Sequence, residues 1–195
     1  MSAFINQLKL LFSKPSQAVD DPPSATTSLL WFCVILLATF ALLFKNTFNT
    51  SIVSVSPVQL VIGIGRLEMF LANVSVQLIV LCVPFAIVLG MDGLKKLVSN
   101  LALLQIPGLV IAIFGFVYEI VLWPLYKKLP VSGLEAKAAF DAVFLLYPAL
   151  LMMVYRYVLI WIVAIKSGAS GAKVSLMVAI HLVLCLLLYL AGGVL

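Results

Sequence analysis

The chain has 195 residues, of which 65% are hydrophobic and 10% are charged, and its formal net charge is +5 at pH 7. Soluble globular domains carry about 25% charged residues, so this composition excludes a water-soluble protein. The sequence has no basic cluster with interleaved aromatic residues, so no nucleic-acid partner is expected. Apolar runs long enough to cross a bilayer recur along the chain and predict an all-α, polytopic transmembrane helical bundle.

Residues 1–27 are predicted to form an amphipathic helix followed by a linker. At helical spacing, one face of this helix collects Phe4, Ile5, Leu8, Leu11 and Phe12. The other faces carry Asn6, Gln7, Lys9 and Ser13, and Pro15 ends the pattern. This arrangement is typical of a helix that lies in the membrane interface. Packing of the apolar face on the bundle itself, or on a partner, is an equally open alternative.

Residues 28–195 contain five apolar runs that predict five membrane spans. Their approximate bounds are 28–48, 67–90, 97–122, 140–165 and 174–195. Each run is within the length range of a helix that crosses a bilayer. The first run is short from Ser28 to Phe44, and it reaches Phe48 if the Lys45 side chain snorkels to the interface.

The connections between the spans are short. Residues Met91 to Lys96 join spans two and three, and Lys166 to Lys173 join spans four and five. Both contain glycine and are predicted to be tight loops between antiparallel neighbours. So little chain lies outside the bilayer that a soluble catalytic domain is excluded.

Two helix starts can be predicted from capping patterns. Ser56 followed by Pro57 is typical of an N-cap and a first-turn proline, so the helix of span two is expected to begin well before the span itself. Ser132 and Glu135 have the spacing of a capping box, so the helix of span four is expected to begin outside the membrane.

The distribution of basic residues slightly favours a cytoplasmic N-terminus. The N-terminal side of the predicted spans carries Lys9, Lys14, Lys95, Lys96, Lys166 and Lys173. The opposite side carries Lys45, Arg66, Lys127, Lys128 and Lys137. This places the Lys95–Lys96 connection in the cytoplasm and the C-terminus outside.

No catalytic, cofactor-binding or metal-binding motif is found in the sequence. His181 is the single histidine, which excludes a site built on paired histidines. The glycines of "GIGR", Gly63 to Arg66, lack the third glycine of a dinucleotide-binding loop. We therefore expect a non-enzymatic protein without a cofactor or a bound metal.

Polar residues inside the spans are the informative positions, because each is costly in hydrocarbon and tends to face a partner or water. At ~1.5 Å per residue, Gln105, Arg156 and His181 lie roughly 10–13 Å from the N-terminal-side ends of their spans. Their shared depth predicts an intramembrane polar cluster in which Arg156 donates hydrogen bonds to Gln105 and His181. Two alternatives are that Arg156 snorkels to the interface, or that it contacts a substrate or a lipid headgroup.

A second polar level is predicted near the opposite interface. It consists of Glu68, Glu119 and Asp141, with Arg66 and Lys127 as available counter-charges. Most of these residues are expected to be solvated at the interface, and Glu119 stands out because it lies inside the apolar stretch "FGFVYEIVLW". Gln77 and Asn73, on span two, are further candidates for lining the interior.

Two stretches of the chain resemble the Yip family (Yip-domain) of five-span integral membrane proteins. One is "LLFSKPSQAV", Leu10 to Val19, and the other is "YVLIWIVAIKSGASGAKVS", Tyr157 to Ser175. The family-like features of the second stretch are Trp161, Gly168, Ser170 and Lys173. The Asp-Leu-Tyr-Gly-Pro signature and the long acidic N-terminus of the eukaryotic trafficking members are absent, so the likeness is to a bacterial-type member. It implies a cytoplasmic N-terminus.

Two classes of function fit the sequence. The first is a non-enzymatic scaffold or accessory subunit, whose partners are membrane lipids and other integral membrane proteins or further copies of the chain. The second is a small transporter or channel that uses the polar level around Arg156. The expected location is the bacterial cytoplasmic (inner) membrane, and the alternative is a eukaryotic Golgi or ER membrane.

Overall fold

The computed structural model describes residues 2–20, 22–43, 57–127 and 134–192. For residues 2–3, 43, 57–73, 134–135, 185–186 and 188–192 it describes the helical backbone alone. Every regular element in the described ranges is a helix. In chain order the helices are α1 (Ser2–Leu11), α2 (Pro15–Asp20), α3 (Ala25–Leu43), α4 (Pro57–Ser99), α5 (Leu101–Tyr126), α6 (residues 134–166) and α7 (Gly171–Gly192). The all-helical prediction is confirmed for this part of the chain.

Four helices of the described chain are long and apolar enough to cross a membrane. Their apolar windows are Ala25–Leu42, Val74–Ser99, Leu101–Tyr126 and Ala136–Lys166. The described part of α7 adds a shorter apolar stretch, Gly171–Leu184. Helices α3 to α6 therefore support the prediction of a polytopic helical membrane protein. The early start predicted for the helix of span two is confirmed, because α4 begins at Pro57.

Helix α4 bends sharply at Gly90, whose φ of 67° and ψ of −161° are not helical. A residue with a Cβ atom avoids this left-handed φ, whereas glycine adopts it readily. The bend also brings the next turn close, because a Cβ added at Gly93 would lie 2.3 Å from the Cβ atom of Leu89. The two glycines thus permit the change of direction at the predicted end of span two.

The predicted loop from Met91 to Lys96 is wrong, since these residues continue as helix up to Ser99. Asn100 alone separates α4 from α5, which begins at Leu101 rather than at the predicted position 97. The single backbone rotation at Gly90 redirects the chain, so a longer loop is not needed.

Helices α5 and α6 each contain a π-helical turn just before a proline. Proline has no amide hydrogen to donate to the carbonyl four residues earlier, and single π turns occur where the α-helical ladder is disturbed in this way. The segments of α5 are Leu101–Val117, the π turn Tyr118–Leu122 and Trp123–Tyr126, with Pro124 after the π turn. Those of α6 are Leu134–Asp141, the π turn Ala142–Leu146 and Tyr147–Lys166, with Pro148 after the π turn.

The packed core lies where α5 begins and α6 ends. Helix α3 packs most extensively on α5, α5 also packs on α6, and α7 lies mainly against α4. Core residues include Phe32, Ile35, Phe85, Leu103, Leu104, Leu159 and Val163. The buried residues of α5 are Leu101–Leu104, Ile106, Pro107 and Ala112, and its described residues beyond Ala112 are partly or fully exposed. The bundle is therefore tight at one end and loosely packed toward the other.

The N-terminal hairpin, α1 and α2, packs on α5 and α6. The apolar face predicted for α1 is divided: Phe4 and Leu11 are buried in the bundle, whereas Ile5, Leu8 and Phe12 are exposed. The Phe4 ring stacks on Trp31 of α3 at a centroid distance of 4.8 Å. Packing on the bundle, which the sequence analysis left open as an alternative to the membrane interface, therefore accounts for part of the apolar face of α1.

Polar contacts fix the hairpin to the bundle. Gln7, predicted to lie off the packed face, is instead buried. Its Nε2 atom donates to the carbonyl of Ala18 at 2.8 Å and to Oδ1 of Asn100 at 3.1 Å, which offsets the burial of this donor, whereas its buried Oε1 atom has no hydrogen-bond partner among the described residues. Asp20 pairs with Lys166 at the end of α6, with 2.7 Å between Oδ1 and Nζ. The N-terminus is thereby tied to both interhelical connections at this end of the bundle.

Candidate functional site

Helices α4, α6 and α7 enclose a groove with two adjoining lobes. The apolar lobe has a volume of about 360 Å³ and is lined by Pro84 and Phe85 of α4, Trp161 and Ala164 of α6, and Val174 and Met177 of α7, among others. The polar lobe has a volume of about 320 Å³ and includes Gln77, Val80, Met153 and Arg156. Leu81, Tyr157, Ile160 and His181 line both lobes, so the groove is continuous. Each lobe is in the size range of ligand pockets.

Arg156 is the charged group of the groove. Its Nη1 atom donates to Oε1 of Gln77 at 3.3 Å, a long bond to a neutral acceptor. Its Nε atom is buried and has no hydrogen-bond partner among the described residues. A guanidinium has five N–H donors, and a cation held in hydrocarbon is stable only when an acceptor or counter-charge meets it. Arg156 therefore has hydrogen-bonding capacity beyond its bond to Gln77.

His181 repairs a gap that a proline leaves in α4. Pro84 has no amide hydrogen, so the carbonyl of Val80, four residues earlier, loses its partner within the helix. The Nδ1 atom of His181 lies 3.3 Å from that carbonyl oxygen. Since a carbonyl can only accept, the Nδ1 atom donates this bond. The Nε2 atom shares a hydrogen bond of 3.0 Å with the hydroxyl of Tyr157.

The structure brings together two of the three residues of the predicted cluster. Arg156 and His181 line the same lobe, 25 positions apart in the sequence. Gln105 lies on α5 and is not among the residues that line either lobe. The described hydrogen bond of Arg156 goes instead to Gln77, and those of the His181 ring go to Tyr157 and to the carbonyl of Val80. The position of a residue along a helix predicts its depth in the membrane, but it does not predict the direction in which the side chain points.

At the second polar level, the structure assigns Asp141 partners that the sequence analysis did not name. The hydroxyl of Tyr118 donates to Oδ1 of Asp141, and Nζ of Lys137 donates to Oδ2 at 2.7 Å. Tyr118 sits in the π turn of α5, one residue before Glu119. Glu119 is exposed, and the side chain of Glu68 lies outside the described residues.

Aromatic rings surround this second level. The ring of Trp123 carries the ammonium groups of Lys127 and Lys137, each 5.2 Å from its centroid. Lys127, predicted as a counter-charge, thus lies over an aromatic face. The rings of Tyr118, Trp123, Tyr126, Phe140 and Phe144 contact one another in a chain. Such a cluster of tyrosine, tryptophan and lysine is typical of a membrane interface.

The groove was only partly visible in the sequence. Tyr157 was missed as a polar partner, and Gln77 was named only as a candidate lining residue. A usable signal was the proline inside span two, because Pro84 implies that the Val80 carbonyl needs a donor from another helix. Among the residues that the structure describes, no group of three or more His, Cys, Asp or Glu side chains could hold a metal ion.

Comparisons with protein-family models, with curated proteins and with solved structures find no match to this chain. The groove and the second polar level are therefore interpreted from their own chemistry.

Proposed function

We propose that this chain is a non-enzymatic integral membrane protein that works as a scaffold or accessory subunit, through contacts with other membrane proteins and with lipids inside the bilayer. The observation that carries the proposal is the exposed apolar surface of α6. Leu150, Leu151 and Ile165 are 47%, 64% and 50% exposed, although α6 packs on α5, and none of the three lines the groove. Large apolar side chains grouped on one helix are suited to packing against further transmembrane segments.

The proposed topology has five spans, with α7 as the fifth. At ~1.5 Å per residue, the 22 residues of α7 extend about 33 Å, which is enough for a bilayer core of about 30 Å. The N-terminus and the Lys95–Lys96 stretch are cytoplasmic, and the C-terminus is outside. The exposed residues of α1, Ile5, Leu8 and Phe12, support a place for the N-terminal hairpin in the membrane interface. A reporter active only in the cytoplasm, fused after residue 195, is expected to be silent, and a strong signal would overturn this topology.

We propose a relationship to the bacterial-type Yip proteins of an inner membrane, whose five-span organisation the proposed topology resembles. The supporting residues are those of the last hairpin, where Gly168, with a φ of 86°, closes the turn between α6 and α7. The C-terminal glycine of a helix commonly adopts this conformation.

The scaffold proposal is tested by photo-crosslinking in native membranes. A photoreactive residue at position 151, on the exposed face of α6, is expected to give discrete protein adducts. The matched control is position 159 on the same helix, because Leu159 is fully buried and a probe there should label only the chain itself. Adducts of the same yield from both positions, or lipid adducts alone from position 151, would contradict the proposal.

A small transporter or channel is the second candidate, and the half-buried Arg156 cation in the polar lobe is the observation that favours it. Purified protein in liposomes separates the two. The scaffold proposal predicts no saturable uptake and no conductance for common ions and metabolites. Robust uptake that is lost in the Arg156→Leu variant would favour the transporter.

A further inference from the structure

We propose that the groove between α4, α6 and α7 binds a single-chain fatty carboxylate, with its carboxylate at Arg156 and its hydrocarbon chain in the apolar lobe. The inference does not depend on the scaffold proposal, because it concerns a ligand within the groove and not the surface of α6.

The charge of the groove selects an anion. Among the described residues that line the two lobes, Arg156 alone carries a permanent charge, and none is acidic. Within the described part of the chain, its buried Nε atom has no hydrogen-bond partner, and its Nη1 atom donates to the neutral oxygen of Gln77. A carboxylate forms shorter and stronger charge-assisted hydrogen bonds with a guanidinium, often two in parallel. An anion would therefore neutralise the cation at the level where hydrocarbon makes an unpaired charge most costly.

The shape of the groove selects a slender ligand. A helix with its side chains is about 10–12 Å wide, so a partner helix can lie over the mouth of the groove but cannot fill a lobe of about 360 Å³ between three packed helices. The apolar lobe is walled by aliphatic and aromatic side chains such as Phe85, Trp161 and Met177. This lining accepts methylene groups and offers a hydrocarbon chain the contacts that it has in the bilayer.

The depth of Arg156 favours a fatty acid over a phospholipid. Arg156 lies ten residues before Lys166, where α6 ends, or about 15 Å along the helix and close to the middle of a hydrocarbon core of about 30 Å. A phospholipid would have to bring a larger hydrated headgroup to that depth and place two chains, whereas the groove offers one cation and one apolar lobe. A fatty acid carries one negative charge and one hydrocarbon chain, which match the single cation and the single apolar lobe.

The ligand can reach the site from the bilayer. Rim residues of the apolar lobe on two helices, Val158 of α6 and Val178 of α7, are exposed. Tyr157 and His181, where the lobes meet, bond to each other and leave the guanidinium as the strong donor. The groove thus combines a lateral opening, an apolar lobe and a deep cation.

The test measures binding of hexadecanoate to the full-length protein in lipid nanodiscs, beside hexadecanol and hexadecylamine of the same chain length. We expect saturable binding of one hexadecanoate per chain, and binding of the alcohol and the amine about ten- to a hundredfold weaker, because each lacks the charge-assisted bonds. Arg156→Leu should weaken hexadecanoate binding to the level of the alcohol. Lys173→Leu is the matched control, since Lys173 is exposed at the start of α7 and outside the lining of the groove, and it should bind like the unmodified protein.

A second variant keeps the cation and fills the apolar lobe. Val178→Trp, at the exposed rim, should weaken binding of hexadecanoate more than binding of octanoate, and it keeps the test decisive if Arg156→Leu fails to fold. Equal affinities for hexadecanoate and hexadecanol would overturn the proposal, as would equal losses in the Arg156 and Lys173 variants or no effect of Val178→Trp. Displacement of hexadecanoate by an equal concentration of phosphatidylglycerol would overturn it in favour of a phospholipid site. Crosslinking at position 151 can fail or succeed independently of all these outcomes.

Discussion

The N-terminal hairpin and the groove enclose polar side chains among apolar ones in different ways. At the hairpin, Asn100 is fully buried, and its amide both accepts from Gln7 and donates to the carbonyl of Lys96. In the groove, Arg156 has one long hydrogen bond and a buried Nε without a partner among the described residues. The same contrast holds for apolar packing: 39% of the apolar window of α5 is buried, against 17% of that of α6.

This difference separates a structural region from a binding region. Where α5 begins, close apolar packing and the Asn100 amide, paired through both its oxygen and its nitrogen, hold the chain in one arrangement. Where α6 faces the groove, hydrogen-bonding capacity and apolar area remain for a ligand or a partner. Substitutions that remove packing or hydrogen bonds should therefore destabilise the first region strongly and the second one weakly.

The largest effect is expected from Leu103→Ala. Leu103 is fully buried in the core, so its truncation should lower the free energy of unfolding by about 2–5 kcal/mol through lost contacts and a residual cavity. Leu151→Ala on the exposed face of α6 is the matched control and should change it by less than about 0.5 kcal/mol. Unfolding in mixed micelles measures both. Similar losses for the two variants would remove the contrast between the regions.

The next effect concerns the buried amide pair. Asn100→Leu leaves the Nε2 atom of Gln7 with one acceptor fewer in a buried site, and should destabilise by about 1–3 kcal/mol. The double variant Gln7→Met, Asn100→Leu replaces both partners by apolar side chains and should be less destabilised than the sum of the two single variants. Strict additivity would show that the two amides do not interact.

A smaller effect is expected at the bend of α4. Gly90→Ala places a Cβ atom on a residue with a φ of 67°, and should cost about 1–2 kcal/mol or straighten the helix. Gly115→Ala is the control, because Gly115 is helical and, apart from its own helix backbone, no atom of the described residues lies within 4 Å of the added Cβ. Thermal unfolding of the two variants gives the comparison. A stabilised Gly90→Ala protein would mean that the left-handed conformation is not present in the membrane.

The smallest effect tests how the groove is held together. His181→Phe removes the donor to the Val80 carbonyl, and interhelical hydrogen bonds in bilayers contribute about 0.6 kcal/mol on average. In a Pro84→Ala background, the new amide hydrogen at position 84 can bond that carbonyl within α4. The cost of His181→Phe should then fall, which a double-mutant cycle measures. If His181→Phe lowers the free energy of unfolding equally in the unmodified protein and in the Pro84→Ala variant, His181 does not stabilise the protein through the Val80 carbonyl.

The sequence predicted the helices well because hydrocarbon imposes them. A run such as the apolar window of α5 must satisfy its backbone internally, so length and composition suffice. Local rules also placed the start of α4 at Pro57, and they placed the end of span two at Gly90, where the helix bends but does not end. Both depend on one residue and its immediate neighbours.

Features that depend on how helices are rotated were not predictable. The helical pattern places Gln7 on a polar face. In the structure its side chain is buried and donates a hydrogen bond to Asn100, 93 positions away. Gln105 shares the depth of Arg156 but not its groove, because rotation about the helix axis is set by packing and not by position along the chain. Likewise, the π turn that presents Tyr118 to Asp141 shifts the helical phase in a way that a regular 3.6-residue period cannot reproduce.

The ion pair of Asp20 with Lys166 has a consequence for the order of biosynthesis. The two residues are 146 positions apart, and the hydroxyl of Tyr155 that donates to the carbonyl of Leu11 is 144 positions from it. Chains are made from the N-terminus at about 5–20 residues per second, so roughly ten seconds separate the emergence of the hairpin from that of its docking site. During that interval α2 lacks the end of α6 on which it packs, although Trp31, the stacking partner of Phe4, has already been made. The hairpin is thus made well before the part of α6 that completes its contacts with the bundle.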